Sequence, residues 1–83
     1  MDSENLINRI KPIVEGLVFT SGEDGLSLIQ IQSVLECTRD EIGRVLELLR
    51  QDYLDEQKGI ELVKYGGRWK FVTKESVYPY ASR

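Results

Sequence analysis

The middle of the chain carries one helix-start pattern twice. Ser27 is followed three residues on by Gln30, and Thr38 by Glu41. In this pairing the first side chain caps a backbone N–H of the helix while the second reaches back to the cap. The first start opens a short helix that buries Leu28, Ile31, Val34 and Leu35, with Ile29 pointing elsewhere. The second opens a helix from about Arg39 to Tyr53. Stepped at about 100° per residue, its Ile42, Val45, Leu46, Leu49 and Tyr53 fall within an arc of roughly 100°. Gly43 lies on its outer side and costs about 1 kcal/mol against Ala.

Before this pair, Leu6, Ile7, Ile10, Ile13, Val14, Leu17 and Val18 occupy an arc of roughly 140° between Ser3 and Thr20, with Asn8, Lys11 and Glu15 outside it. That spacing predicts an amphipathic helix capped by Ser3 and stopped at Ser21-Gly22. Pro12 inside it predicts a kink or a delayed start. Phe19 falls off the apolar face. Gly22-Glu23-Asp24-Gly25 reads as a turn and Leu26 as a short extended connector. After the pair, Gln57-Lys58-Gly59 breaks the helical pattern. Two strand-like runs follow, Ile60 to Tyr65 and Arg68 to Thr73, joined by Gly66-Gly67. A primed hairpin turn needs positive φ, which Gly supplies freely. In that register Ile60 and Leu62 share a face with Trp69 and Phe71. Glu61, Val63 and Tyr65 share the other with Arg68, Lys70 and Val72.

Helix, short strand, two capped helices and a hairpin is the order of an α+β winged helix-turn-helix domain, with three helices and a C-terminal two-stranded β-hairpin wing. Residues 1–74 make this domain, and 75–83, with Pro79 between two tyrosines, read as the start of a linker. The 83 residues suffice for one small core, burying roughly 60–65% of the unfolded chain's surface.

Composition narrows the chemistry. The chain has no His, so no His-based triad or metal cluster can form, and neither a metal nor a cofactor is expected. A single cysteine, Cys37, makes no intrachain disulfide and suits a reducing compartment. No apolar run is long enough for a membrane span. Asp52, Asp55 and Glu56 cluster at the end of the third helix but lack an apolar pocket to shift a pKa. Cys37 stands just before the Thr38 cap, where a helix N-terminus can lower a thiol pKa, yet a small buried hydrophobe is the simpler role. The glycine pairs match no phosphate-binding spacing. An enzyme is not indicated.

A winged helix invites DNA binding, with the third helix as reader. From Thr38 to Lys58 four basic residues face six acidic ones, a balance of −2, and the whole chain carries −3. Such a surface repels phosphate, so sequence-specific DNA binding is not expected. A DNA-binding transcription regulator is the alternative function, with Lys64, Arg68, Lys70 and Lys74 as its basic patch. Protein association accounts better for the surplus apolar residues. The outer hairpin face carries Val63, Tyr65 and Val72 framed by Arg68 and Lys70, a composition that interfaces favour. Phe19, at the edge of the first helix, and Ile29 are further apolar side chains outside their stripes. The expected self-association and partner surface is therefore Val63, Tyr65, Val72, Arg68, Lys70 and Phe19.

Two stretches resemble a known family. Val14-Glu15-Gly16-Leu17-Val18-Phe19-Thr20-Ser21-Gly22-Glu23-Asp24-Gly25-Leu26 is similar to the opening of bacterial segregation and condensation protein B. Gly59-Ile60-Glu61-Leu62-Val63-Lys64-Tyr65 followed by Gly66-Gly67-Arg68-Trp69-Lys70-Phe71-Val72-Thr73-Lys74 resembles that family's first wing. The resemblance implies a non-enzymatic subunit of the bacterial condensin complex, cytoplasmic and nucleoid-associated. It implies a homodimer that acts on the kleisin subunit, segregation and condensation protein A, which in turn closes the ring of the structural-maintenance-of-chromosomes ATPase. It also implies two winged helices in tandem, of which this chain is the N-terminal one. In that scheme the N-terminal domain mainly dimerises and the C-terminal one grips most of the kleisin. Pro12 and the apolar pair Leu28-Ile29 depart from the family pattern.

Overall fold

The computed structural model describes residues 2–81. Helix α1 runs from Asp2 to Thr20, β1 from Leu26 to Ser27, α2 from Leu28 to Leu35 and α3 from Arg39 to Asp52. Strands β2 (Ile60–Tyr65) and β3 (Arg68–Thr73) form the hairpin, and α4 (Tyr78–Ala81) ends the described chain. Short 3₁₀ turns cover Gly22–Asp24 and Glu75–Val77. The winged-helix order stands.

Both capping boxes form. Ser27 Oγ accepts from the Gln30 N–H at 3.1 Å while Gln30 Oε1 accepts from the Ser27 N–H at 2.8 Å. Thr38 Oγ1 accepts from the Glu41 N–H at 3.1 Å, and Glu41 Oε1 accepts from the Thr38 N–H at 2.9 Å. Each box satisfies two N–H groups that a helix start would otherwise leave unpaired. Between the two helices Glu36 adopts φ +56°, a left-handed C-cap whose N–H donates to the Gln32 carbonyl.

Helix α1 lays Ile7, Ile10, Val14 and Val18 against Ile31 of α2 and Ile42, Val45, Leu46 and Leu49 of α3, and Leu62 closes the core from β2. Trp69 and Phe71 pack against it from the inner face of β3. The hairpin register runs from Ile60↔Thr73 to Tyr65↔Arg68, so the two faces are those read from the alternation.

Several expectations are corrected. Helix α1 already includes Asp2, so Ser3 lies within it rather than capping it, and Pro12 sits inside one continuous helix rather than delaying its start. Val34 is 63% exposed. Taking Ile31 as the centre of the buried face, Leu28 and Leu35 lie about 40–60° to one side and Val34 about 60° to the other. The neighbouring helices cover only the first side. Ile13, at the edge of the α1 arc, is half exposed for the same reason. The wing has three strands, not two: β1 pairs antiparallel with β3 through Leu26↔Trp69 and Ser27↔Arg68, giving the order β1-β3-β2. Apart from these corrections, residues 75–81, which read as the start of a linker, carry the short 3₁₀ turn and α4, with Val77 beside Gly59.

Candidate functional site

The outer face of the hairpin is built by cross-strand pairs. Tyr65 stands opposite Arg68, Val63 opposite Lys70, and Glu61 opposite Val72. Tyr65 at the tip is 77% exposed, and Lys70 Nζ lies 5.6 Å from its ring centre, within cation–π range. Val63 and Val72 are half-buried, so their apolar contribution to an open surface is smaller than the alternation suggested. Phe19 is 65% exposed at the C-terminal end of α1.

The sequence offers the hairpin face and the Phe19 edge as separate surfaces. The fold joins them. Pairing of β1 with β3 draws the Gly22–Gly25 turn across the middle of the sheet, so close that a side chain at Gly25 would sit 2.7 Å from the Trp69 carbonyl oxygen. As a result Phe19, Lys70 and Val72 line one cleft of about 430 Å³ together with Glu23. A neighbouring cleft of about 530 Å³ is lined by Glu23, Asp24, Tyr65, Arg68 and Lys70. Glu23 and Lys70 belong to both, so five of the six expected surface residues lie along one continuous concavity, with Val63 beside it as the strand partner of Lys70. Glu23 and Asp24 were missed as site residues. They read only as turn formers, and nothing local in a two-residue strand announces what it pairs with.

A second apolar area lies on the opposite side of the turn. Leu17, Leu26, Ile31 and Val34 line a groove of about 420 Å³ between α1, β1 and α2, and Ile29 is exposed nearby on α2.

The would-be DNA reader is internally neutralised. Arg50 donates to both carboxylate oxygens of Glu47, at 3.1 and 2.7 Å, which holds the Glu47 carboxyl below its usual range. Asp52 pairs with Lys11 of α1 at 2.6 Å, and Asp55 accepts from the Gln57 N–H at 2.8 Å, so two of the three acids at the end of α3 have separate partners. Burial, followed by the nearby Glu41 carboxylate, pushes the Cys37 thiol up, the opposite of an activated nucleophile. Tyr53, the C-cap of α3, donates its hydroxyl to the Glu15 carboxylate and packs edge-on against Phe71 at 4.9 Å. That hydrogen bond, with burial and the Glu15 charge, pushes the Tyr53 pKa up to about 12. It ties α1, α3 and the sheet together rather than serving a site.

These features define a winged-helix domain with a charged and aromatic cleft between its first turn and its wing. The family described as segregation and condensation complex subunit ScpB matches residues 12–83, and the chain belongs to that family. Segregation and condensation protein B of Geobacillus kaustophilus (strain HTA426) is 45% identical over 76 residues, 92% of this chain and 35% of that protein. The Bacillus subtilis (strain 168) protein of the same name is 32% identical over 73 residues, 88% of this chain and 37% of that protein. The chain thus spans about a third of the length of these curated relatives. Among solved structures it is similar to a dimer of the ScpB N-terminal domain complexed with ScpA peptide. The TM-score is 0.88 with 43% identity, covering 93% of this chain and 95% of that one. ScpB from Mycobacterium tuberculosis shares the fold at TM-score 0.80 and 18% identity, over 92% of this chain and 47% of that one.

Proposed function

We propose that this chain is the self-associating N-terminal winged helix of a non-catalytic condensin subunit, which pairs with a second copy of itself and binds the kleisin ScpA. Through the kleisin it would reach the structural-maintenance-of-chromosomes ATPase, in the cytoplasm at the nucleoid. One observation carries this reading: the chain matches, over 93% of its length, a domain whose solved form is a dimer with an ScpA peptide. The coverage of about a third of the curated relatives supports residues 1–74 as the first of two winged helices, with 75–83 leading toward the second. In the solved relative the N-terminal domain is itself complexed with the peptide, which supports a kleisin contact through this domain. Val63, Tyr65, Val72, Arg68, Lys70 and Phe19 form the proposed contact surface, since the fold leaves Tyr65 and Phe19 open and lines them with charge.

Light scattering of the purified chain, alone and with an ScpA peptide, tests this directly. A dimer at tens of micromolar that shifts to a larger complex with the peptide is the expected result. A strict monomer that ignores the peptide would overturn it.

A further inference from the structure

The cleft between the first turn and the wing carries both signs of charge without pairing them. Glu23 and Asp24, both exposed, stand on one lip, and Arg68 and Lys70 stand on the other. Among the described residues none of these four makes an ion pair within its own chain. The ion pairs among the described residues are Lys11–Asp52 and Arg50–Glu47. Arg68 has only a long hydrogen bond, 3.5 Å, to the Gly25 carbonyl, and Lys70 rests over the Tyr65 ring. Two cations and two carboxylates that share a cleft yet stay apart are held there by the fold. The turn is pinned by the β1–β3 pairing and the cations by the hairpin ladder.

We infer that this cleft is the electrostatic half of a two-fold contact between copies of the chain, Glu23 and Asp24 of one copy facing Arg68 and Lys70 of the other. This rests on the self-association proposed above and deepens it. The reason is symmetry. A two-fold axis running between the lips sets each lip against the opposite lip of the second copy, so acid meets base twice. Any other partner would have to supply the same mixed pattern, whereas a second copy supplies it by construction. The apolar element is in place as well: Phe19 and Val72 line the adjoining cleft, and Tyr65 projects from the wing tip. Charged lips fix register and orientation, while the aromatic and apolar side chains beside them hold the copies together.

The test is a charge swap. One variant carries Glu23→Lys and Asp24→Lys, the other Arg68→Glu and Lys70→Glu, and sedimentation equilibrium reads the dimer constant of each alone and of their equimolar mixture. Circular dichroism confirms that both keep the parent's helical signal, and Glu23→Gln with Asp24→Asn replaces the first variant should it not fold. Each variant alone should associate at least about tenfold more weakly than the parent, because exposed pairs of modest individual strength are reversed on both sides of the axis. The mixture should recover most of the parent's affinity. If the parent dimerises and either variant alone dimerises equally well, or the mixture gains nothing over the variants alone, the cleft assignment is wrong while the self-association reading stands. A parent that is monomeric at several hundred micromolar removes both.

Discussion

Tyr53 shows how one side chain can hold three elements and leave a signature in pH. Its hydroxyl donates to Glu15 on α1, its ring packs edge-on against Phe71 on β3, and it terminates α3. The Glu15 bond stabilises the protonated phenol, so its pKa in the fold, about 12, lies above the value near 10 of an unstructured chain. Between those two values the unfolded chain has released its proton and the folded one has not. Folding therefore loses stability as pH rises through this window, and the full contribution is present below about pH 10. Replacing Tyr53 with Phe keeps the ring and removes the bond. It should cost about 1 kcal/mol near neutrality, reduced from a fully buried charged bond because the site is partly solvated. For a domain this size that lowers the melting temperature by roughly 4–8 °C. The gap between parent and Tyr53→Phe should stay constant from pH 7 to 9.5 and close between about 10 and 12. A gap that persists at pH 12 would mean that the hydroxyl contributes nothing through Glu15.

At the scale of elements, the two glycine positions with the most to say make opposite demands. Gly25 has φ +69° and ψ −179°, a conformation that only glycine tolerates, and its missing side chain faces the Trp69 carbonyl oxygen at 2.7 Å. Gly66 also has positive φ, +60°, but an added Cβ would meet open space. Gly25→Ala should therefore cost at least about 2 kcal/mol, because it strains the backbone and pushes the turn off β3. Gly66→Ala should cost about 1 kcal/mol, from the left-handed conformation alone. Urea unfolding of the two variants checks the order, and equal losses would show that the turn can move away from the sheet. The same contrast explains what was legible in the sequence. Gly66-Gly67 and the two capping boxes are local chemistry, complete within four residues, and the structure reproduces their bonds and register. The β1–β3 pairing is not local. Two residues carry no usable alternation, so the third strand and the joining of Phe19 to the hairpin face stayed hidden until the chain was folded. Val34 and Ile13 were misplaced because periodicity gives the centre of an apolar face but not how far the neighbours cover its flanks.

For the whole molecule the deciding quantities are shape and charge. A radius of gyration of 13.4 Å exceeds the ~12 Å of a compact chain of this length, and the longest dimension of 45 Å contrasts with a shortest of 17 Å. An elongated domain exposes more surface per residue than a compact one of the same length. Its charge argues against DNA as a partner. The net −3 places a repulsive field around the entire domain, and the cations that the fold would present are compromised in turn. Arg50 is held by Glu47 and Lys11 by Asp52, and Arg68 and Lys70 share their cleft with Glu23 and Asp24. A reader helix must release counterions by replacing them with its own free cations, and α3 retains only Arg39 and Arg44 outside such pairs, beside Asp40 and Glu41. Fluorescence anisotropy with mixed-sequence duplex near physiological salt should give binding no tighter than about 10⁻⁴ M, falling steeply as salt is raised and indifferent to sequence. Arg39→Ala and Arg44→Ala together should leave even that weak binding little changed, since no groove contact depends on them. A nanomolar complex with one sequence, lost on those two substitutions, would instead make α3 a reader and restore the transcription regulator as the function.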